Sequence, residues 1–478
     1  MVNDRNKRNS LKSSLKWSAL ERVVVQSIQL LTMIFLAREL GPKAYGLIGM
    51  LAIFLAVFQI FIDSGFSAAL IRKVDRTEED IATAFYFNLL VSVISYVVFY
   101  TVAPAISKFY GQTELINIAR VSGIILVINS LVMIQKTLLT IEMDFKTIAK
   151  ASVISVLLSS TISVALVFQG YGVWVLVIQS ISMALFNTIL LNVFYPWKPK
   201  AKFSTKAFKN LFGFGSKLLI SSFIDTVYSN IYQLLIGKMF NASDLGLFTQ
   251  AKNLSSLPAI TFSTIIQRVT FPYLSKFQND NNLLESNYSR IIEVSAFIIF
   301  PIFTCMSLMS KDVIVLILGE EWQEASLMFS ILCICFMVYP IQSLNLNLLK
   351  VKGRSDLFLK LEVIKKILLT IVLFLTVPNG LIAICLGMLV HSLLSLGVNT
   401  YYTGIITSLG LKEQIRFLIP IVLCCIISLV AVHFITTLLS NMVVSLFVAT
   451  ITMFIVYLVS SFIFSRSTLF FLLSNVKF

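Results

Sequence analysis

The chain has 478 residues, of which 57% are hydrophobic and only 13% charged, with a formal net charge of +15. Water-soluble domains carry about 25% charged residues, so a normally solvated surface is excluded and lipid is the solvent for most of the chain. A bilayer core about 30 Å thick needs roughly 20 apolar residues per helix, which predicts about fourteen spans and leaves no room for a soluble catalytic domain of typical size. No GxxxxGK[ST] phosphate loop occurs, so movement driven by the chain's own ATP hydrolysis is not expected. The apolar runs are long and uninterrupted, unlike the alternating strands of a membrane barrel. The predicted fold class is therefore all-α and polytopic.

In chain order, residues 1–16 form a basic tail with Arg5, Lys7, Arg8, Lys12 and Lys16. The run from Trp17 to Ala37 is too long for a signal-peptide core and lacks a small-residue cleavage site, so it is expected to stay as the first span. Ser18, Arg22, Gln26 and Gln29 lie on one face of it by helical spacing. At the end of the second span, FIDSGFSAAL carries Asp63, read as a helix-capping or loop-fixing residue. Arg120 falls in the fourth span, and the basic, Pro-containing residues 196–210 read as a linker.

The seventh span carries Lys217, Ser222, Asp225, Thr226 and Ser229. Ser222, Thr226 and Ser229 stand 200 positions after Arg22, Gln26 and Gln29, so the two polar stripes are expected to face each other and line a common cavity. Lys252 and Arg268 flank the eighth span, with Asn253, Thr261 and Thr264 between them, and Glu293 is expected to pair with Arg290. The longest external loop, Ser310 to Gln323, is short and acidic. Pro258, Pro301, Pro340 and Pro420 are placed inside spans, where each removes a backbone hydrogen bond and bends its helix. Two further spans are expected near Lys412 to Thr437 and Asn441 to Phe464. The six cysteines fall in apolar runs and read as small hydrophobes. His391 and His433 are isolated, so no metal or cofactor is expected.

Lys and Arg gather in alternate gaps. One set holds the tail, Arg72, Lys73, Arg76, Lys136, Lys146, Lys150, the linker lysines, Lys276, Arg290, Lys350, Lys352, Arg354, Lys360, Lys365, Lys366, Lys412, Arg416, Arg466 and Lys477. The other holds only Arg38, Lys43, Lys108, Lys238 and Lys311. By the positive-inside rule, both termini are expected in the cytoplasm. Anionic inner-leaflet lipids account for the positive charge without a nucleic-acid partner.

An internal repeat is visible. FLARELGPKAYGLIGM matches LIGKMFNASDLGLFTQ, with Gly46 and Gly246 200 positions apart, and the match resumes at Gly111 and Gly319. Each unit then holds about six spans in the same orientation, a parallel-repeat transporter architecture with its site at the repeat interface. The expected division is residues 17–195 and 211–405 as two pseudo-symmetric six-helix bundles, with 406–478 as two accessory helices and a tail.

The segments ARELGPKAYGLIGM, FIDSGFSAALI, DLGLFTQAKNLSSLPA and TFPYLSKFQND resemble the patterns of the polysaccharide transporter family. These are the oligosaccharide flippases of the multidrug/oligosaccharidyl-lipid/polysaccharide exporter superfamily. The resemblance runs from about Trp17 to about Lys366. It implies twelve core helices plus two, and a substrate that is an undecaprenyl-pyrophosphate-linked oligosaccharide moved from the cytoplasmic to the outer leaflet of a bacterial inner membrane. A polysaccharide polymerase of the same pathway is a further expected partner.

Moving a charged pyrophosphate and a sugar requires a polar, cationic path, and ionisable residues inside spans are functional candidates by default. Arg22 is the first choice for a phosphate contact, because a guanidinium offers a planar fork of donors; the competing account has it pair with Glu21 or snorkel to the interface. Gln26, Gln29, Ser222, Ser229, Arg120, Lys217, Lys252 and Arg268 complete the candidate cavity set. For the last four cations an interfacial role competes. Asp225 is the candidate for ion coupling, against a purely structural pairing. An ion-coupled multidrug exporter of the same superfamily is the alternative function, but it needs an acidic cavity and these embedded charges lean basic. A polymerase or ligase would need a long external catalytic loop, so the chain is not expected to be an enzyme.

Overall fold

The computed structural model describes residues 2–439 and 441–475, with the side chains of 2–15, 473 and 475 outside that description. The tail cations Arg5, Lys7, Arg8 and Lys12, and Lys477, therefore lie outside the described side chains. Ten helices are long and apolar enough to cross a membrane, and the chain is a multi-pass membrane protein. Packing divides it into two compact units, Met1–Gly246 and Leu247–Phe478.

The first unit opens with α1 (Val2–Asp63), 62 residues long and broken at Gly41, whose left-handed φ of 66° precedes Pro42. At 1.5 Å per residue α1 would be about 90 Å long if straight, three times a bilayer core, so the break is what lets it fold back. There follow α2 (Phe66–Arg72), α3 (Glu78–Tyr110), α4 (Leu115–Ser122), α5 (Ile124–Ile141), α6 (Phe145–Val167), α7 (Trp174–Phe194) and α8 (Thr205–Met239). Helix starts are fixed by side chains that satisfy the first backbone N–H groups: Thr77 and Asp80 form a reciprocal capping box, Asp144 caps α6, and Ser204 caps α8. The expected linker is therefore irregular only as far as Ser204, because that cap starts the helix at Thr205.

The first half of α1 packs on α6, where buried Thr32 donates to Ser160 at 2.9 Å. Near the α2–α3 connection, Phe66, Ala69, Leu70, Ile81, Ile134 and Leu211 form a core, with Phe66 stacked on Phe87 at 4.9 Å and Phe208 on Phe212 at 5.2 Å. Asp63 accepts from Ser67 at 2.6 Å across the turn that ends α1, the loop-fixing role expected of it.

The second unit continues α9 (Ala242–Ser275) into α10 (Asn281–Leu308), α11 (Ser310–Leu318), α12 (Ala325–Met337), α13 (Tyr339–Val351), α14 (Ser355–Thr376), α15 (Leu381–Ile406), α16 (Leu411–Thr436), α17 (Met442–Phe464) and α18 (Arg466–Asn475). The segment expected as the longest external loop is helical, as α11 and a 3-10 turn at Glu320–Trp322, because Trp322 is fully buried and anchors it. Pro340 lies within the apolar span Ala325–Val351, and its missing N–H coincides with the interruption of that span at Val338 into α12 and α13; Pro258, Pro301 and Pro420 lie inside helices. Arg290 pairs with Glu293 at 3.2 Å.

The repeat is written into backbone conformation. Gly111 and Gly319 both end helices at positive φ, 68° and 102°. Met143, before α6, and Gly353, before α14, are both left-handed, at 58° and 69°.

The second unit also holds an enclosed amide network. Asn345 and Gln414 exchange hydrogen bonds at 3.0 and 2.9 Å, Gln414 also donates to the Leu409 carbonyl at 3.0 Å, and Thr403 donates to Asn345 at 2.7 Å. All three side chains are buried. Buried amides are costly unless satisfied, and here they tie α16 to α13 and α15.

Candidate functional site

In the first half of α1 the stripe forms as spaced. Arg22 and Gln29 are exposed, while Ser18 and Gln26 are half-buried. Gln29 donates to the Met183 sulfur of α7 at 3.6 Å, and Arg22 makes no hydrogen bond or ion pair among the described residues. Glu21, its competitor partner, forms no ion pair with it among the described residues. Lys136 was assigned to a loop from its charge, but it lies inside the helix Ile124–Ile141. It is the cation that sequence reasoning missed as a site candidate, and the signal was its place within the apolar run LVMIQKTLLTI.

Helix α8 packs antiparallel to the second half of α1. Gly215 lies against Ser64 and Gly65, the Phe223 and Phe61 rings are 5.9 Å apart, and Gly237 lies against Met50 and Tyr110. The middle of α8 is bare: every residue from Ile220 to Asp225 is exposed. Ser222, Asp225 and Ser229 share one face by helical spacing, and Ile220, Phe223 and Ile224 point the other way. A helix so divided has one face suited to lipid and one suited to water. Asp225 and Ser229 have further interactions within the protein, and Asp225 is not enclosed by packing. Lys217, two residues beyond Gly215, is exposed.

The contacts of α8 run along the second half of α1, whereas the Arg22 stripe is on the first half, which packs on α6 and α7. No hydrogen bond joins Arg22 or Gln26 to α8 among the described residues. Arg120 is drawn to a different neighbour, its guanidinium lying 4.4 Å over the Tyr100 ring of α3.

In the second unit, α9 carries Lys252, half-buried, and Arg268, exposed with no hydrogen bond or ion pair among the described residues. Asn253 and Thr261 are exposed, and Thr264 donates to its own helix at Ile260. Thr249, Gln250 and Ser263 on the same helix each hold a buried oxygen without a hydrogen bond. These polar atoms escaped notice because single hydroxyls and amides in an apolar run carry little pattern.

A match to the family model described as "Polysaccharide biosynthesis protein" covers residues 35–327, more than half of the chain. The chain belongs to that polysaccharide biosynthesis protein family. Within reach of this family member are the teichuronic acid biosynthesis protein TuaB of Bacillus subtilis, 26% identical over 72% of each chain, and the lipopolysaccharide biosynthesis protein WzxC of Escherichia coli, 23% identical over 74% of this chain and 73% of that one. Among solved structures, the lipid II flippase MurJ in an inward closed conformation aligns with a TM-score of 0.73 at 15% identity, covering 95% of this chain and 100% of that chain. The family member thus shares the MurJ fold.

Proposed function

We propose that this chain is a flippase that carries undecaprenyl-pyrophosphate-linked oligosaccharide repeat units from the cytoplasmic to the outer leaflet of the bacterial inner membrane, by alternating access, for surface polysaccharide synthesis. The observation that carries the reading is Arg22, an exposed guanidinium without a protein partner inside a helix apolar enough to cross the membrane. An unpaired charge at such a position is expensive against lipid, and a phosphate oxygen is a natural partner for it. The polar face of α8, with Ser222, Asp225 and Ser229, and the cations Lys217, Lys252 and Arg268 extend the path. Arg120, held over Tyr100, is the weakest member of the set. Asp225 is the acid proposed for ion coupling.

In this reading α1 crosses twice, turning at Gly41, and α8, α9 and α14 cross as well despite their polar residues, which makes fourteen spans. Both termini are cytoplasmic, residues 17–195 and 211–405 are the repeated bundles, and 406–478 are accessory. The substrate's lipid and the surrounding bilayer are its partners, with a polymerase of the same pathway downstream, and the chain performs no covalent chemistry itself. The excess of embedded cations favours this anionic cargo over a cationic drug.

The test is complementation of a bacterium lacking its own oligosaccharide flippase, scoring surface polysaccharide for wild type, Arg22→Ala and Asp225→Asn at equal protein levels. Restoration by wild type and loss in both variants is expected. Failure of wild type together with lower accumulation of a cationic dye would replace the reading with that of a drug exporter.

A further inference from the structure

Both ends of α8 are held to the second half of α1 by glycines placed where nothing larger fits. At one end, a methyl added to Gly215 would overlap the Ser64 carbonyl oxygen, and one added to Gly65 would meet the Gly215 backbone at 2.7 to 3.1 Å. At the other end, a methyl on Gly46 would overlap the Ala242 carbonyl, and one on Gly246 the Pro42 carbonyl. This second contact is reciprocal under the repeat. Gly46 and Gly246 are 200 positions apart, and so are the residues each touches, Ala242 and Pro42. The break in α1 and the turn between α8 and α9 thus clasp each other through matching glycines, backbone to backbone, as small residues permit in membranes. Between the two contacts the stretch Ile220 to Asp225 is exposed, with Phe223 meeting Phe61 at 5.9 Å, whereas Tyr232, Ile236 and Gly237 are buried again.

We infer that these contacts are two clamps that set the closed position of a shared path, and that they part at opposite ends in the transport cycle, with Gly215 and Gly246 as positioning residues. This rests on the alternating-access reading above. The geometry carries it: backbone meets backbone at both ends, through backbone atoms alone at Gly46 and Gly246 and with the Phe66 ring beside Gly215, and the two contacts bracket the exposed stretch Ile220 to Asp225 of α8. At the Gly46–Gly246 end the contact has no interlocking side chains and can separate without unthreading a packed core; at the Gly65–Gly215 end the rings of Phe66, Phe208 and Phe212 must slide past one another.

Gly215 and Gly246 have ordinary helical backbone, where alanine is intrinsically favoured by about 1 kcal/mol. An effect of Gly→Ala at either position must then come from the contact. Gly213, also on α8, has nothing within 4 Å of an added methyl and serves as the control.

The measurement is pulsed electron resonance between pairs of spin labels in the full-length protein in lipid nanodiscs. One pair, Lys43→Cys with Asn241→Cys, reports the Gly46–Gly246 end; the other, Val74→Cys with Lys209→Cys, reports the Gly65–Gly215 end. All four positions are exposed, and the native thiols are buried apart from half-buried Cys305, which is replaced by serine. Relief of a steric overlap needs only about 2 Å, whereas opening displaces a helix by something near its own packing distance, ~8–10 Å. Gly246→Ala is expected to lengthen the first distance by that larger amount and leave the second short; Gly215→Ala does the reverse, and Gly213→Ala changes neither. Shifts confined to about 2 Å, or lengthening of the wrong pair, overturn the inference.

Should either alanine variant fail to fold, a reversible crosslink between Lys43→Cys and Asn241→Cys with all glycines intact decides the matter. Flipping of a fluorescent lipid-linked oligosaccharide is expected to stop and to return on reduction, and undiminished flipping by fully crosslinked protein refutes the clamp. The label distances do not depend on cargo. If they behave as expected but wild type moves no lipid-linked sugar, the flippase reading fails and the clamps stand.

Discussion

The polar groups around Arg22 in the first unit and those around Asn345 in the second are treated in opposite ways. Around α1 and α8, Arg22, Gln29, Lys217, Ser222 and Asp225 are exposed, and Arg22 has no protein partner among the described residues. Around α13, Asn345, Gln414 and Thr403 are buried and share hydrogen bonds of 2.7 to 3.0 Å. Arg22 makes no hydrogen bond or ion pair among the described residues, whereas the Asn345 group is closed on itself. Polarity within an apolar helix therefore does not by itself mark a path; the state of its hydrogen-bonding capacity does.

The sharpest way to break this contrast is to remove the open groups. Arg22→Ala should reduce flipping about tenfold or more, in line with the ~1.5–3 kcal/mol of a hydrogen bond to a charged group, while the thermal midpoint in detergent stays within error of wild type. A large drop in midpoint would mean that Arg22 is structural after all. Gln414→Leu should do the opposite: it strips buried Asn345 of its amide pairing and leaves it only Thr403 and the Ile341 carbonyl, costs about 1–3 kcal/mol of stability, and spares flipping per folded molecule. Adding Asn345→Leu should restore part of that loss, because removing both partners costs less than orphaning one, and a strictly additive double variant would refute the pairing.

Two aspartates of the first unit sharpen the comparison within a single chemistry. Asp80 is buried, pairs with Lys73 at 2.7 Å and accepts from the Thr77 backbone at 2.8 Å. Asp80→Asn should lower the midpoint by the equivalent of about 1–2 kcal/mol, the scale of a lost cap, with transport per molecule intact. Asp225→Asn should leave the midpoint unchanged and impair transport. The smallest effect is expected at Met143, whose left-handed φ of 58° costs a non-glycine residue roughly 1–2 kcal/mol. Met143→Gly should raise the midpoint slightly, as its repeat partner Gly353 already does without strain.

Much of this architecture is legible in the residues. Hydropathy identifies the helices, and the accessory pair falls within a residue or so of its expected limits, at Leu411–Thr436 and Met442–Phe464. The Arg22 face follows from spacing alone. Legibility ends where a role depends on what surrounds a side chain. Lys136 reads as a loop charge until α5 is seen to run through it, and Asn345 and Gln414 read as unremarkable polar residues in different segments until the fold brings them together. Pro340 is legible as a disturbance of its span, and the interruption at Val338 lies two residues before it. Gly46 and Gly246 are visible as a repeat, but nothing in the repeat says that they meet.

The enclosure of Trp322 has an optical consequence. It is fully buried, whereas Trp17, Trp174 and Trp197 are only partly so. A water-soluble collisional quencher should therefore silence the other three emitters first and leave a blue-shifted residual fluorescence, a label-free gauge of the second unit alone.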